Sequence, residues 1–248
     1  MDGSYNLGLV FISYVVSILG ALTALELAGG LASARTGAQR IAIILLGGVA
    51  MGGGAIWAMH FIAMVAHRMP MVVTYDTGIT IFSALVAIAA SAAGLAIAGL
   101  GRRSMPRLVG GGLVMGLGVA AMHYIGMEAM LMPATLQYDP SIVALSVVIA
   151  VVAATAALWI AFHLSGLWLM LLSAPVMGAA VCGMHYTGMA ATSYIATDMA
   201  GTPWVLGAMS GHNLGISIFV VVGVVLGAAI PFCYLWSHDR QAQESLQR

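Results

Sequence analysis

The segment Met184-His185-Tyr186-Thr187-Gly188-Met189 has two near-copies earlier in the chain, from Met122 to Met127 and from Met59 to Met64. Each copy reads Met-His-aromatic-x-small-Met, and the three histidines are 63 and 62 residues apart. A fixed period of about sixty residues indicates an internal repeat. Residues four apart lie on one face of a helix, so the histidine and the last methionine of each copy form a nitrogen-sulfur pair. We expect three equivalent units, each contributing one component of a shared site.

The amino-acid composition is that of a membrane protein. Hydrophobic residues make up 62% of the chain, charged residues make up 6%, and the net charge is zero, whereas a soluble domain carries about 25% charged residues. We find no basic stretch that would contact nucleic acid and no glycine-rich phosphate loop. Residues Met1 to Ser4 lack the positive region of a cleaved signal peptide, so the first apolar segment is expected to remain in the protein.

Seven stretches have the length and apolar character of a membrane-spanning helix, which needs about twenty such residues. They run from Leu7 to Leu27, Ile41 to Ala66, Ile79 to Leu100, Leu108 to Met132, Ile142 to Phe162, Leu167 to Ile195 and Leu214 to Trp236. The predicted fold is therefore an all-α membrane protein of three two-helix repeats plus a C-terminal helix. Residues 1–236 form one membrane domain, and residues 237–248 form a polar tail or the start of a connector to another module.

The arginines indicate which loops face the cytoplasm, because positively charged residues favour cytoplasmic loops. Seven of the eight follow the first, third or seventh segment: Arg35, Arg40, Arg102, Arg103, Arg107, Arg240 and Arg248. The alternate loops hold only Arg68. We therefore predict the N-terminus outside and the C-terminus in the cytoplasm. The three His-Met pairs then lie near the extracytoplasmic face, and His123 is nine residues, or about 13 Å, below the predicted helix end at Met132.

The repeat extends beyond the six-residue motif. The twelve residues from Met59 and the twelve from Met122 are identical at seven positions, and each run leads to Tyr-Asp, at Tyr75-Asp76 and Tyr138-Asp139. Aspartate in these places predicts a helix N-cap, most clearly at Asp139, where proline follows. The third copy diverges after Met189, and its longer loop from Asp198 to His212 is expected to cover the site.

Glycines precede each histidine in the second and fourth segments, and glycine and alanine precede it in the sixth. Small residues let helix backbones approach closely in lipid, where packing rather than hydrophobicity drives association. The even-numbered helices are therefore expected to form a tight central bundle. The third and fifth helices, rich in Val, Ile and Ala, suit the lipid-facing outside.

The repeated histidine and methionine indicate a copper site of one or two ions, Cu(I) or Cu(II). Imidazole suits copper, zinc and iron, whereas thioether sulfur selects Cu(I). The predicted ligands are His60, His123, His185, Met64, Met127 and Met189, with His67, Met130, Cys182, His212 and Glu128 as additional candidates. A single His-x-x-x-Met is more often core packing, but three copies at one depth favour a site, because ionisable groups inside a membrane tend to mark function.

The chain resembles the MHYT domain, a bacterial integral-membrane sensor named for the string that stands here at Met184 to Thr187. The resemblance covers nearly the whole chain. It implies copper held by these histidines and methionines near the outer face, a diatomic gas ligand (O2, CO or NO), and a cytoplasmic output module in cis or in trans. That module is a cyclic di-GMP enzyme, a histidine kinase or a DNA-binding regulator. Phe61, Ile62 and Ile125 depart from the name string, so the Tyr hydroxyl is not common to all three copies.

Our leading hypothesis is a multi-pass sensor input domain of the bacterial inner membrane, surrounded by lipid, that responds to a gas or to redox state. A homodimer is compatible with this hypothesis. The alternative is a copper-dependent membrane redox enzyme in which Tyr124, Tyr186 or Glu128 moves protons. A metal permease ranks third, because the histidines and methionines of the three motifs cluster at one depth instead of crossing the membrane.

Overall fold

The computed structural model describes residues 4–101, 104–164, 166–197, 207–224 and 227. Within them, six helices are long and apolar enough to cross a membrane: α1 (Leu7–Gly30), α2 (Gly37–Ala66), α3 (Thr77–Gly99), α4 (Met105–Glu128), α5 (Pro140–His163) and α6 (Leu167–Ala190). The predicted all-α membrane class is confirmed. A shorter apolar helix, α7 (Gly211–Val224), begins the predicted seventh segment. Apart from residue 227, the rest of that segment lies outside the described residues, as does the tail 237–248.

Short strands flank the helices at one end of the molecule. They are β1 (Ser4–Tyr5), β2 (His67–Arg68), β3 (Thr74–Asp76), β4 (Met130–Leu131), β5 (Ala134–Tyr138), β6 (Thr192–Ala196) and β7 (Ala208–Ser210). In each repeat, the strand before the odd helix pairs antiparallel with the strand after the even helix: β1 with β2, β3 with β4, and β5 with β6. Strand β7 pairs with the other edge of β3. In all three repeats, the same strand pairing therefore joins the start of the odd helix to the end of the even helix.

The start of each odd helix shows this equivalence at the level of single hydrogen bonds. The side chains of Asn6, Asp76 and Asp139 accept hydrogen bonds from the first turn of α1, α3 and α5, which confirms the two predicted aspartate caps. The backbone N–H groups of the same three residues donate to the last turns of the even helices. Their acceptors are the carbonyls of Ala66, Ala129 and Ala191, at 2.9, 2.8 and 2.8 Å.

Two predicted helix ends are wrong. Helix α4 ends at Glu128 rather than Met132, and α6 ends at Ala190 rather than Ile195. The apolar residues beyond these points pair as strands instead, so hydrophobicity continues where the helix does not. His123 is consequently five residues from the end of its helix, or about 7.5 Å at 1.5 Å per residue. His123 and His185 are therefore closer to their helix ends than the sequence indicated, whereas α2 ends at Ala66 as predicted.

Helices α1 to α6 pack in sequence order around a common centre, and α6 closes the ring against α1. Glycines make the close contacts, but those before the histidines pack against odd-numbered helices rather than joining the even-numbered helices in the expected tight bundle. A Cβ atom on Gly52 of α2 would overlap the backbone of α3 at Ala87, and one on Gly116 of α4 would lie 2.5 Å from the Cα atom of Val151 in α5. Helix α2 is the most buried of the six and α5 the least.

The middle of α2, from Val49 to Ala58, is a π-helix. A π-helical turn accommodates one residue more than an α-helical turn. The extra residue corresponds to an offset in the sequence: Met51 stands nine residues before His60, whereas Met115 stands eight residues before His123. The wider turn brings both ends of α2 into register with the other even helices.

Candidate metal centre

His60, His123 and His185 meet at the centre of the helix ring, and we call these three residues the histidine centre. The Nδ1 atom of His60 lies 3.0 Å from Nδ1 of His185 and 3.2 Å from Nδ1 of His123. All three side chains are 0% exposed. One ring from each even helix therefore turns the same nitrogen toward a common point.

The two shortest spacings among these nitrogens fit a single metal ion. Three nitrogens bound to one ion at about 2.0 Å are about 3.3–3.5 Å apart in tetrahedral or trigonal geometry. The observed 3.0 and 3.2 Å are a few tenths of an ångström shorter, and one potential ligand atom from each ring lies within 4.8 Å of the others. A proton on Nδ1 of His60 forms a good hydrogen bond to only one of the two neighbouring nitrogens. A cation between the rings can bind all three nitrogens.

In the second and third motifs, the ring of the preceding repeat explains the small residue. A Cβ atom on Gly126 would lie 2.5 Å from Nε2 of His60, and one on Gly188 would overlap the ring of His123. Each glycine therefore makes room for a neighbouring imidazole. The repeated Met-His-x-x-small spacing was a signal for this contact, but sequence reasoning assigned the small position no role.

The second nitrogen of a metal-bound imidazole is usually held by a carbonyl, a carboxylate or water, and the same is expected of His60, His123 and His185. In the described part of the chain, Nε2 of all three rings is buried without a hydrogen-bond partner. Among the described residues no protein group fills this role, and water stays the predicted partner. The glycine contacts give the reason at two of the three rings, because the backbone of Gly126 or Gly188 occupies the space beside Nε2.

The aromatic residue after each histidine supports its ring from the side. The centroid distances are 4.8 Å for His60–Phe61, 4.8 Å for His123–Tyr124 and 4.9 Å for His185–Tyr186, all edge-to-face. The tyrosine before each helix cap then packs edge-to-face on that aromatic residue, as Tyr75 on Phe61, Tyr138 on Tyr124 and Tyr5 on Tyr186. The same three-ring contact occurs in every repeat and fixes the orientation of the imidazoles.

The hydroxyl of Tyr124 makes a structural hydrogen bond rather than pointing at the histidines. It lies 2.7 Å from Oγ of Ser146, a buried serine of α5. Oγ of Ser146 already donates to the carbonyl of Val143, so the tyrosine is the donor. Tyr186 faces the equivalent Ser13, and this weaker contact falls short of hydrogen-bond geometry.

The predicted methionine ligands are all buried: Met64 is 2% exposed, Met127 0% and Met189 6%. Each stands one turn beyond its histidine, toward the end of the even helix. Burial and position are compatible with a ligand and also with packing. Their role in metal binding stays a prediction.

Two additional candidates, His67 and Met130, stand seven residues after His60 and His123, where helical spacing predicts the same helix face two turns further on. Helices α2 and α4 end at Ala66 and Glu128, so both residues lie in strands and the argument from helical spacing is wrong. His67 is half-buried and stacks on Tyr5 with centroids 4.8 Å apart. Burial lowers the pKa of His67. A role for either residue as a ligand is untested.

The other three candidates also stand apart. The group of His, Cys, Asp and Glu ligand atoms found among the described residues consists of the three histidines. Cys182 is half-buried, and His212 is exposed at the start of α7. Glu128 is exposed and accepts a hydrogen bond of 3.0 Å from the hydroxyl of Tyr138, which does not support a partnership with a site histidine. Most of the loop expected to cover the site, residues 198–206, lies outside the described residues.

Comparison with known proteins gives one family and several relatives. The MHYT model, described as a bacterial signalling protein N-terminal repeat, matches residues 53–111 and 116–174. The bifunctional diguanylate cyclase/cyclic di-GMP phosphodiesterase MucR of Pseudomonas aeruginosa is 45% identical over 92% of this chain and 33% of its own length. The cyclic di-GMP phosphodiesterase NbdA of the same organism is 35% identical over 94% of this chain and 30% of its own.

A third relative, the signaling protein YkoW of Bacillus subtilis, is 32% identical over 77% of this chain and 24% of its own length. The chain thus spans about a third or less of the length of each of these relatives. No solved structure matches it. Together with the three copies of the histidine motif, these matches show that the chain belongs to the MHYT family of bacterial membrane signalling domains.

Proposed function

We propose that this chain is a membrane sensor input domain that binds copper at the histidine centre. One observation carries the proposal: three Nδ1 atoms from three repeats converge at a fully buried point. Groups of this kind are costly inside a membrane and tend to mark function. A histidine core that served packing alone would not need the same nitrogen of all three rings to face one point.

Copper is favoured over zinc because methionine accompanies each histidine. Imidazole suits both metals, but thioether sulfur prefers Cu(I). Met64, Met127 and Met189 are buried one turn beyond their histidines, and we propose that they complete or flank the metal's coordination. One or two copper ions per chain fit this set of donors.

The proposal includes seven transmembrane helices, with the N-terminus outside and the C-terminus in the cytoplasm of the bacterial inner membrane. The arginine distribution supports this orientation. Helix α7 would continue toward Trp236, and residues 237–248 would form the tail or connector after a domain of residues 1–236. The histidine centre then lies near the extracytoplasmic face.

The output module is the second part of the proposal. MucR and NbdA are named for cyclic di-GMP synthesis or breakdown, and about two thirds of each lies outside the region that matches this chain. We place the named activities in that remainder. A cyclic di-GMP enzyme, in cis or in trans, is therefore the output partner we propose.

The chain's own contribution is to hold three imidazoles at a fixed spacing away from water. A copper ion bound there would supply a redox-responsive centre able to take a diatomic gas such as O2, CO or NO. Because each histidine belongs to a different even helix, any change in the preferred nitrogen spacing shifts α2, α4 and α6 relative to one another. Such a shift changes the population of two packings only if the ligand's affinity differs between them.

Metal analysis tests the copper site. Purified chain reconstituted with Cu(I) without oxygen is expected to hold at least about one copper ion, and the His60/His123/His185 triple alanine variant should hold about one fewer. The matched control is His163→Ala, an exposed histidine on α5. Equal copper in the wild-type protein and the triple variant would overturn the proposal. If the variant does not fold, X-ray absorption of the copper-loaded wild-type protein decides instead, because absence of imidazole scattering around copper would overturn the proposal equally.

The methionine ligands have a separate test. Replacing Met64, Met127 or Met189 by leucine keeps roughly the side-chain volume and should cost less than about 1.5 kcal/mol of stability, while Cu(I) affinity falls. Met105→Leu and Met170→Leu are the controls, because the predicted topology places both residues near the cytoplasmic side. Equal losses of Cu(I) affinity in the two groups would show that the methionines pack rather than bind.

A gas experiment separates the sensor from the redox enzyme. The Cu(I)-loaded protein should show the infrared absorption of bound CO. In a separate assay with a quinol and oxygen, it should consume no oxygen. Steady quinol oxidation by the isolated chain would instead favour the enzyme. Net uptake of copper into sealed vesicles containing the protein would favour the permease.

A further inference from the structure

A second set of methionines lies below the histidine centre, on the side away from the strands. Met51, Met115 and Met177 come from α2, α4 and α6, one from each even helix, and we call them the methionine layer. All three are buried, at 7%, 2% and 5% exposure. They line one cavity of about 30 Å³ together with Met184.

A layer of branched aliphatic residues separates the two sets. Ile56, Val119 and Val181 each stand four residues before a site histidine and line the same cavity. Residues four apart lie one turn apart on the same helix face. The methionine layer is one further turn away. Along the axis of the helix ring, the central side chains are therefore histidines, then aliphatic residues, then methionines.

The methionine layer is repeated in sequence as well as in space. Each of its members is followed by glycine, as Met51-Gly52, Met115-Gly116 and Met177-Gly178. The distance to the histidine is eight residues in the second and third repeats and nine in the first. The π-helical stretch of α2 absorbs that extra residue, so Met51 reaches the cavity that Met115 and Met177 line. A regular α-helix would turn Met51 about 100° away.

Methionine often fills irregular gaps in a core, and packing alone would explain any one of these residues. Packing does not require the same side chain in three repeats, nor a helix distortion that keeps one of them in register. Distortions of this type are frequent at functional sites. The cavity exceeds the roughly 10–15 Å³ that one water-sized probe needs, and four methionines line it together with alanine, valine and isoleucine side chains.

We propose that Met51, Met115 and Met177 form a Cu(I) site of thioether ligands. Thioether sulfur is soft and selects Cu(I) over hard divalent cations. The aliphatic layer keeps this site separate from the histidine centre. Binding at the methionine layer is therefore independent of copper at the histidines.

The direct test uses the wild-type protein and Ag(I), a soft monovalent ion that does not change oxidation state. Methionine methyl groups are labelled with 13C and observed by NMR during titration. The methyl signals of Met51, Met115 and Met177 are expected to shift together as the site fills. Unchanged signals at all three after saturating Ag(I) would overturn the proposal, whatever happens at the histidine centre.

Substitution supplies the second test. The Met51/Met115/Met177 triple leucine variant should lose one Cu(I) from the total bound in competition with a chromophoric chelator, or bind it about tenfold or more weakly. Met59→Leu/Met122→Leu/Met132→Leu is the matched control, because these three methionines are equally buried and do not line the cavity. Equal Cu(I) binding by the two triple variants would overturn the second site. Loss of histidine-bound copper in the alanine variant, measured separately, reports only on the proposed function.

Discussion

The first and second histidine motifs occupy equivalent places in the ring, yet their surroundings differ. Phe61, fully buried, stands where the second motif has Tyr124. Ser83 and Ser146, the buried serines that face these two motifs, are both hydrogen-bonded. Ser146 receives the Tyr124 hydroxyl at 2.7 Å, whereas Ser83 receives the indole N–H of Trp57 at 3.2 Å. A different donor, one turn earlier on the helix, takes the place of the missing hydroxyl.

The difference shows which parts of the repeat are constrained. A buried hydroxyl needs a partner, but the partner can come from either of two positions. The histidine, its small neighbour and its edge-to-face aromatic support are present in both motifs. Orientation of the imidazole therefore constrains the chain more tightly than the hydroxyl chemistry around it. Variants that make one repeat resemble another test this ordering.

The largest effect is expected from single-residue deletions in the even helices. Deleting Gly118 from the regular helix α4 turns Met115 and Gly116 by about 100° relative to His123, which breaks the close contact between Gly116 and Val151. We expect this variant to lose its monodisperse folded form in detergent. Deleting Gly53 from the π-helical stretch leaves Met51 eight residues before His60, as in the other repeats, so folding and Ag(I) binding should persist.

Size-exclusion chromatography and thermal unfolding of the two deletion variants check this pair. If both deletions are equally disruptive, the π-helical stretch is itself required and the proposed equivalence of the repeats is wrong. If both are tolerated, the register of the even helices is not held by the glycine contacts.

The next largest effect is expected from enlarging the small residue that stands three positions after the histidine in each motif. In Gly126→Ala the new Cβ would lie 2.5 Å from Nε2 and 3.0 Å from Cδ2 of His60. Overpacking of this kind costs about 1–3 kcal/mol, and a displaced imidazole should also weaken copper binding. Chemical denaturation and Cu(I) competition measure the two effects.

The reverse change, Ala63→Gly in the first motif, is the control. It creates no clash, and glycine inside a helix costs about 1 kcal/mol relative to alanine. Copper affinity should then be unchanged. Equal loss of copper affinity in Gly126→Ala and Ala63→Gly would show that helix stability, not space for the ring, is the relevant variable.

Much of the fold follows from local rules that the sequence displays. Apolar length predicts the spans, Asp76 and Asp139 predict the caps, and the histidine period predicts that three rings meet. The ends of α4 and α6 were not predictable in the same way, because strands β4 and β6 continue the apolar composition of the helices. Their pairing partners are distant in the sequence, so only the folded structure shows where each helix stops.

The site could be predicted from the sequence where the three repeats align without an inserted residue. The histidine centre follows from copies that align without gaps. The methionine layer was missed because the extra residue in α2 shifts Met51 out of that alignment. Aligning the three Met-Gly pairs would have revealed it. The contact of Gly126 with His60 depends on how neighbouring helices face each other, which periodicity within one helix does not determine.

A smaller effect is expected from Tyr124→Phe, which makes the second motif like the first. The variant loses the hydrogen bond to Ser146, worth about 0.5–1.5 kcal/mol, while Ser146 keeps its bond to Val143. Tyr186→Phe is the matched control, because the contact of that hydroxyl with Ser13 falls short of hydrogen-bond geometry. Denaturation midpoints should fall for Tyr124→Phe and stay nearly constant for Tyr186→Phe. The opposite ranking would show that the hydroxyl of Tyr186, not that of Tyr124, contributes to stability.

The smallest effect is a pH dependence that separates His67 from Met130, its counterpart seven residues after the motif histidine. Burial lowers the pKa of His67 in the folded protein, whereas in the unfolded chain the value is about 6.5. The unfolded state therefore binds the proton more readily, and stability must decrease as the pH falls below about 6.5 until the folded pKa is reached. Above that window His67 is neutral in both the folded and the unfolded protein and contributes no pH dependence.

His67→Met, which copies the second repeat, should remove this part of the acid sensitivity and leave stability at pH 8 nearly unchanged. Unfolding of the metal-free protein at pH 8 and pH 5.5 measures the difference, and an identical pH slope in the variant would show that the titration belongs to other groups.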